Sequence, residues 1–183
     1  MATITTLLTA DEYAKLPDPG RPTELVHGQV ITMPPPMPRH GQLCAQIVYL
    51  LRRFLDDNAL GHVLSNDSGV ITERNPDTVR GADVAYYSFQ RVPKGPLTDG
   101  LLQVAPELVF EVLSPDDRWS DIHAKVGEYL RAGVRTVCVV DDSTKSIHVF
   151  HADRASEAFG ADDELKLPEI LPGFHPAVQR VFE

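Results

Sequence analysis

Two acidic residues lie inside segments that are otherwise hydrophobic. Glu111 interrupts an apolar run over 108–113. Asp83 interrupts a shorter run over 82–86. A carboxylate inside a buried strand is costly unless a cation or hydrogen-bond donors compensate its charge. Carboxylate oxygens are the ligands that Mg²⁺ prefers, so the two residues form a candidate metal-binding pair. The alternative is structural: Asp83 ends a turn, and Glu111 pairs with an arginine.

The segment that follows Glu111 has a helical pattern and carries a lysine that could serve the same site. Asp121, Lys125 and either Glu128 or Tyr129 are one turn apart, so they share one side of the predicted helix. A lysine beside a metal-bound water can stabilise a hydroxide nucleophile or the charge that develops on a phosphorane. The simpler alternative is a surface pair of Asp121 and Lys125, worth only about 0.3–0.5 kcal/mol.

The elements that must position these residues are predicted from apolar periodicity and from turn residues. The predicted strands cover 23–26, 30–33, 62–65, 69–73, 82–88, 107–113, 136–141 and 146–151. Three helices are predicted. The first covers 10–16 after a capping box at Thr9, the second covers 40–60 with Gly61 as its cap, and the third begins at 114 or 120 and ends at 132. Strand, helix and strand follow one another over 107–141 with short connections, which implies a right-handed parallel crossover. We therefore predict an α/β fold with a mixed sheet flanked by helices.

The composition indicates one folded domain over residues 1–183. Hydrophobic residues make up 43% of the chain, which is enough for a packed core. With 17 basic and 26 acidic residues the net charge is −9. This charge argues against broad attraction to nucleic acid, which requires clustered Lys and Arg, but it leaves room for a small basic groove.

Cysteine usage and the apolar pattern limit the other classes of protein. The two cysteines, Cys44 and Cys138, form no CxxC pair, so we expect neither a disulfide framework nor a cysteine-ligated zinc site. The amino-terminal segment lacks the features of a signal peptide, and no run of about 18 apolar residues exists. We therefore expect a cytoplasmic protein that does not enter a membrane.

Several short motifs, in this order along nearly the whole chain, resemble those of a known family. They are ELVHG at 24–28, PRHG at 38–41, ADVA at 82–85, PELVFEVLSP at 106–115, DIHAK at 121–125, YLRAGV at 129–134 and LPGF at 171–174. The chain resembles the Uma family of bacterial putative restriction endonucleases, which is part of the PD-(D/E)xK nuclease superfamily. The resemblance implies a restriction-endonuclease-like core.

The resemblance also implies a role for individual residues. Asp83 matches the first aspartate of the superfamily and Glu111 its second acidic residue, both of them metal ligands. The lysine expected two positions after the second acid is absent, because Leu113 stands there. Lys125 on the following helix is the natural substitute, and Glu24 matches an acidic residue that many such nucleases place beside the metal.

The activity implied by this resemblance is hydrolysis of DNA phosphodiester bonds with Mg²⁺ or Mn²⁺ as cofactor. His40 is a candidate contact for a substrate phosphate, although a plain role at the start of a helix is an equal alternative. A local basic cluster would grip the DNA, and its candidate members are Arg39, Arg80, Lys94 and Arg118. Similar folds often form homodimers to cut two strands, so a homodimer is expected by analogy.

Two other classes of function remain open. The first is a nuclease-like protein that has lost catalysis and only binds nucleic acid or a partner protein, which Leu113 and the charge of −9 favour. The second is a small interaction module in which the acidic residues form internal salt bridges.

Overall fold

A mixed sheet of eight strands runs through residues 7–183, the part of the chain that the computed structural model describes. The strands are β1 (Thr23–Val26), β2 (Gln29–Thr32), β3 (Gly61–Glu73), β4 (Thr78–Ser88), β5 (Leu108–Val112), β6 (Thr136–Asp141), β7 (Ser146–His151) and β8 (Glu157–Phe159). The helices are α1 (Ala10–Tyr13), α2 (Pro38–Asp57), α3 (Trp119–Arg131) and a 3-10 helix, η1 (Val178–Phe182). The signal-peptide prediction falls partly on residues 1–6, which lie outside the described residues.

The strand order confirms the predicted mixed sheet. Neighbouring strands follow the order β2-β1-β4-β5-β6-β7-β8, and β3 pairs with β4. Within residues 7–183, only β5 and β6 pair in parallel, with Glu111 opposite Val139, and α3 connects them. The strand, helix and strand over 107–141 therefore form the predicted crossover.

The two long helices cover opposite faces of the sheet because each has one apolar side. Leu43, Ile47, Leu51 and Leu55 of α2 are buried in one core with residues of β4 to β7. Ile122, Val126 and Tyr129 of α3 are buried in a second core on the other face. The polar residues next to each apolar side therefore lie at the edge of the core that the helix covers, beside the sheet. Among residues 7–183, no helix combines the length and the hydropathy that crossing a bilayer requires.

The structure corrects two details of the predicted elements. The strands predicted at 62–65 and 69–73 belong to one long strand, β3, whose pairing with β4 shifts register between Ser65 and Ser68. Asn66 and Asp67 both adopt positive φ at this bulge, 67° and 52°. Gly61 was wrongly predicted to cap α2. It begins β3. The helix ends at Asp57, and its C-cap is Asn58, whose side chain donates to the Phe54 carbonyl at 2.9 Å.

Candidate metal and active site

An acidic cavity of about 470 Å³ opens where β4 and β5 meet the beginning of α2 and one side of α3. Its walls include seven carboxylate residues and three residues that can be cations. The carboxylates belong to Glu24, Asp67, Asp83, Glu111, Asp116, Asp117 and Asp121, and the potential cations are His40, Arg80 and Lys125. The cavity therefore collects all four predicted catalytic residues and one of the three predicted substrate contacts, His40.

Pairing between β4 and β5 brings Asp83 and Glu111 together. Val84 lies opposite Phe110, so one further step along the antiparallel pair leads to Asp83 and Glu111. The backbone N–H of Val112 donates to the Asp83 carboxylate at 2.6 Å, which ties Asp83 to β5. Both acids are buried, with exposed fractions of 8% for Asp83 and 5% for Glu111.

Two groups from α3 satisfy the Glu111 carboxylate. The ammonium of Lys125 donates to one oxygen at 2.7 Å, and the hydroxyl of Tyr129 donates to the other at 2.8 Å. Burial raises the pKa of Glu111 to about 7, while the nearby Lys125 opposes this shift. Tyr129, one turn from Lys125, was predicted only as one of two candidates for this side of the helix. The structural alternative required an arginine as the partner of Glu111, whereas the partner in the structure is Lys125.

Lys125 lies between two carboxylates. In addition to Glu111, its Nζ atom is 3.4 Å from Glu24 and donates to the Gly81 carbonyl at 3.2 Å. Burial alone would lower the pKa of Lys125, but the two carboxylates raise it above its ordinary value. Lys125 is therefore an ammonium at neutral pH. The surface pair with Asp121 that sequence offered as an alternative is not among the contacts of Lys125 in the described chain.

Arg80 forms ion pairs with two carboxylates of the protein. Its guanidinium donates to Glu24 at 2.8 Å and to both oxygens of Glu128 at 2.6 and 2.7 Å. Glu24 also accepts from the backbone N–H of Gly81 at 3.0 Å. These bonds link β1, β4 and α3 at the edge of the cavity. A substrate contact by Arg80 stays a prediction, and in this structure its charge is balanced by the two glutamates.

His40 contacts Asp83 from the other face of the sheet. Its Nε2 atom is 3.2 Å from an Asp83 oxygen, and its Nδ1 atom is 3.5 Å from the thiol of Cys44. The hydrogen bond to Asp83 raises the pKa of His40 to about 10. At the rim, burial together with the neighbouring Asp83 carboxylate raises the pKa of Asp67.

The other basic residues that were predicted to bind DNA do not line this cavity. Arg39 donates to both oxygens of Asp142, at 3.2 and 2.6 Å, and to the Phe182 carbonyl. Arg118 is exposed before the first turn of α3, and Lys94 lies over the ring of Phe89. The predicted basic cluster is therefore not assembled around the acidic residues.

Sequence reasoning missed two residues of the site. Asp67 occupies an irregular turn of β3, and no local pattern indicated that this turn reaches Asp83. Cys44 follows His40 by four residues within the predicted long helix, so the spacing alone placed the two side chains on one face. Only their position near Asp83 required the folded chain.

Comparisons with known proteins agree with this architecture. A solved structure of a putative nuclease belonging to DUF820 from Anabaena variabilis superimposes with a TM-score of 0.81 at 20% identity, and the match covers 96% of this chain and 97% of that one. At this identity the likeness shows the fold. No curated protein matches the chain. Residues 10–179 match the family described as Uma2, putative restriction endonuclease. Since this match spans most of the sequence, the chain belongs to the Uma2 family.

Proposed function

We propose that this protein is an endonuclease that hydrolyses DNA phosphodiester bonds with a divalent cation, Mg²⁺ or Mn²⁺. One observation carries the proposal: Asp83 and Glu111 line one cavity with Lys125, whose ammonium contacts Glu111 at 2.7 Å. Two carboxylates and a lysine suit the hydrolysis of a phosphodiester by metal-activated water. Membership in the Uma2 family supports a nuclease in general terms. The cation and the choice of DNA are parts of our proposal.

The donor atoms of the cavity fit a hard divalent cation. Asp83 and Glu111 would hold it, with Glu24 assisting directly or through a water, because such cations select carboxylate oxygens. The Asp83 carboxylate helps to raise the pKa of Asp67, because neighbouring carboxylates repel each other unless a proton or a cation intervenes. When bound, the cation would activate a water and neutralise charge on the phosphate.

The protein's own residues would hold the reacting groups in place. Tyr129 and Lys125 each donate to one oxygen of Glu111, so its carboxylate has a fixed orientation. The Lys125 ammonium would also stabilise negative charge that develops on the phosphate. The Val112 N–H orients Asp83 in the same way. Because these donors come from sheet and helix, they would hold both carboxylates in place before substrate binds.

The acidic walls predict that DNA binding depends on the cation. Asp116, Asp117 and Asp121 line the outer part of the cavity, whereas Arg80 is neutralised by its two glutamates. A phosphodiester that approaches Asp83 therefore meets repulsion unless a divalent cation reduces the negative charge. If both strands of a duplex are cut in one encounter, two copies of the chain would act together, and the mass in solution tests this homodimer.

A nuclease-like protein without catalysis is the second candidate. The observation that favours it is the occupation of Glu111: both of its oxygens already accept hydrogen bonds from Lys125 and Tyr129. In this case the acidic residues would stabilise the fold, and the protein would bind nucleic acid or a partner protein without cleaving it.

Cleavage assays separate the two candidates. Supercoiled plasmid and labelled single-stranded DNA are incubated with the protein in Mg²⁺, Mn²⁺ or EDTA. We expect cleavage with either cation, none with EDTA, and a loss of at least about a hundredfold for Asp83→Asn and Glu111→Gln. Asp57→Asn, a similar change on the exposed side of α2, is the matched control and should cleave normally. Equal cleavage by all variants, or none by the wild type, would contradict the proposed enzyme.

A further inference from the structure

His40, Cys44 and Asp83 form a cluster whose chemistry differs from that of the acidic pair. One potential ligand atom from each residue, a ring nitrogen, a sulfur and a carboxylate oxygen, lies within 4.8 Å of the other two. His40 and Cys44 are one turn apart on α2, and Asp83 reaches them from β4. The cluster is half-buried, because His40 and Cys44 are partly exposed and Asp83 is buried. His40 and Asp83 line the cavity.

The spacing of these atoms suits a tetrahedral metal site. Zinc bonds of about 2.0–2.1 Å to nitrogen and about 2.3 Å to sulfur keep neighbouring ligand atoms about 3.3–3.8 Å apart. The Sγ atom of Cys44 is 3.5 Å from Nδ1 of His40, and an oxygen of Asp83 is 3.2 Å from Nε2, the other nitrogen of that ring. A histidine gives one ring nitrogen to an ion, so the His40 ring and the Cys44 side chain would rotate to bring the three ligand atoms, which lie within 4.8 Å of one another, around one ion.

We propose that His40, Cys44 and Asp83 bind a zinc-class divalent cation. A thiolate and an imidazole select a borderline-soft metal over Mg²⁺, which prefers oxygen ligands. A water, or the carboxylate of Asp67 at the rim of the same cavity, would complete the coordination. The absence of a CxxC pair led us to expect no cysteine-ligated zinc, but helix α2 and strand β4 supply the ligands from separate elements.

This soft-metal site shares Asp83 with the hard-cation site of the proposed nuclease. One carboxylate then has two alternative sets of partners, Glu111 on one side and His40 with Cys44 on the other. Zinc and magnesium would compete for it, so zinc would inhibit any activity that requires Mg²⁺ at Asp83. Zinc binding itself does not depend on nuclease activity.

Cobalt replaces zinc in the test, because a Co²⁺–thiolate bond absorbs in the near ultraviolet. The full-length protein is titrated with Co²⁺ under reducing conditions. We expect one equivalent to produce the thiolate band and Zn²⁺ to displace it. Cys44→Ser should lose the band and bind Zn²⁺ more than about tenfold more weakly, and His40→Gln should weaken binding similarly. Cys138→Ala is the matched control and should keep the band, because Cys138 is buried in the core away from the cavity.

Further variants distinguish this site from the hard-cation site. Glu111→Gln should keep the cobalt band, because Glu111 is not a ligand of the soft metal. A wild-type protein without a thiolate band, or a band that survives Cys44→Ser, would overturn the proposal. So would a band that is lost in Glu111→Gln and kept in His40→Gln. Circular dichroism of the metal-free variants establishes that each one is folded, and His40→Gln replaces Cys44→Ser if the latter is not.

Discussion

The ammonium of Lys125 lies 2.7 Å from a carboxylate oxygen of Glu111, although the two residues belong to different elements, helix α3 and strand β5. Glu111 is a carboxylate in the middle of a buried strand, and Lys125 provides its positive partner. The pair connects the helix to the sheet at the cavity that we propose as the active site. Its loss should therefore affect stability as well as any catalysis.

Replacement of Lys125 by methionine should destabilise the protein by about 3 kcal/mol, because it leaves Glu111 buried without its charged partner. Chemical denaturation with urea measures the free energy of unfolding. The double variant Lys125→Met with Glu111→Gln should recover part of the loss, since no unpaired carboxylate remains. Strictly additive effects of the two substitutions would show that the pair is not coupled, and this would contradict the prediction.

Tyr129→Phe should lower stability by about 1.5–3 kcal/mol, because the buried hydroxyl donates to a charged group, Glu111, at 2.8 Å. The ring itself stays in the core. Tyr49→Phe is the matched control: Tyr49 is exposed on α2, and its substitution should change the free energy of unfolding by less than about 0.5 kcal/mol. The prediction is wrong if both variants unfold at the same urea concentration as the wild type.

Mn²⁺ should raise the melting temperature of the wild-type protein. A ligand that binds only the folded state stabilises it by about 2.7 kcal/mol at a hundredfold excess over its dissociation constant. Glu111→Gln should abolish the increase because it removes an anionic oxygen ligand, and Asp57→Asn should keep it. Thermal-shift titrations measure the effect. An unchanged melting temperature for the wild type would favour the interaction module, in which the acidic residues form internal salt bridges.

Asp142→Asn should remove a modest, pH-dependent contribution to stability. The hydrogen bond from Arg39, with help from Lys145, lowers the pKa of Asp142 to about 2. A carboxyl whose pKa is lower in the folded state stabilises it at pH values above its ordinary pKa of 3.8. This contribution is then lost as the pH falls toward 2. The side chains of Arg39 and Asp142 are 37% and 29% exposed, so solvent screens the pair and limits its value to about 1 kcal/mol.

Urea denaturation of the wild type and Asp142→Asn between pH 2 and 7 tests the sign. The difference between the two proteins should be constant near neutral pH and should shrink below about pH 4. A difference that grows as the pH falls would show that Arg39 is not the partner that lowers this pKa. In the structure, Arg39 links the start of α2 to the turn between β6 and β7.

Local patterns in the sequence were sufficient to predict most of the fold. The capping box at Thr9 is present, with its side chain accepting from the Glu12 N–H. The parallel crossover over 107–141 followed from chain order and short connections, and α3 begins near the later of its two predicted starts. Asp83 and Glu111 were recognisable because a charged residue is unexpected inside a run of apolar residues. Apolar periodicity and a charged residue that interrupts it are features of neighbouring residues, so both can be recognised in the sequence without knowledge of tertiary contacts.

The partners of the polar side chains were decided only by the tertiary structure. Arg39 and Arg80 were both predicted to bind substrate, and the sequence did not indicate that each pairs with carboxylates far away along the chain. The contact of His40 with Asp83, likewise, needs α2 to pack across β4. A charged side chain pairs with whichever opposite charge the folded chain brings within a few ångströms. Sequence spacing alone carries no information about that distance.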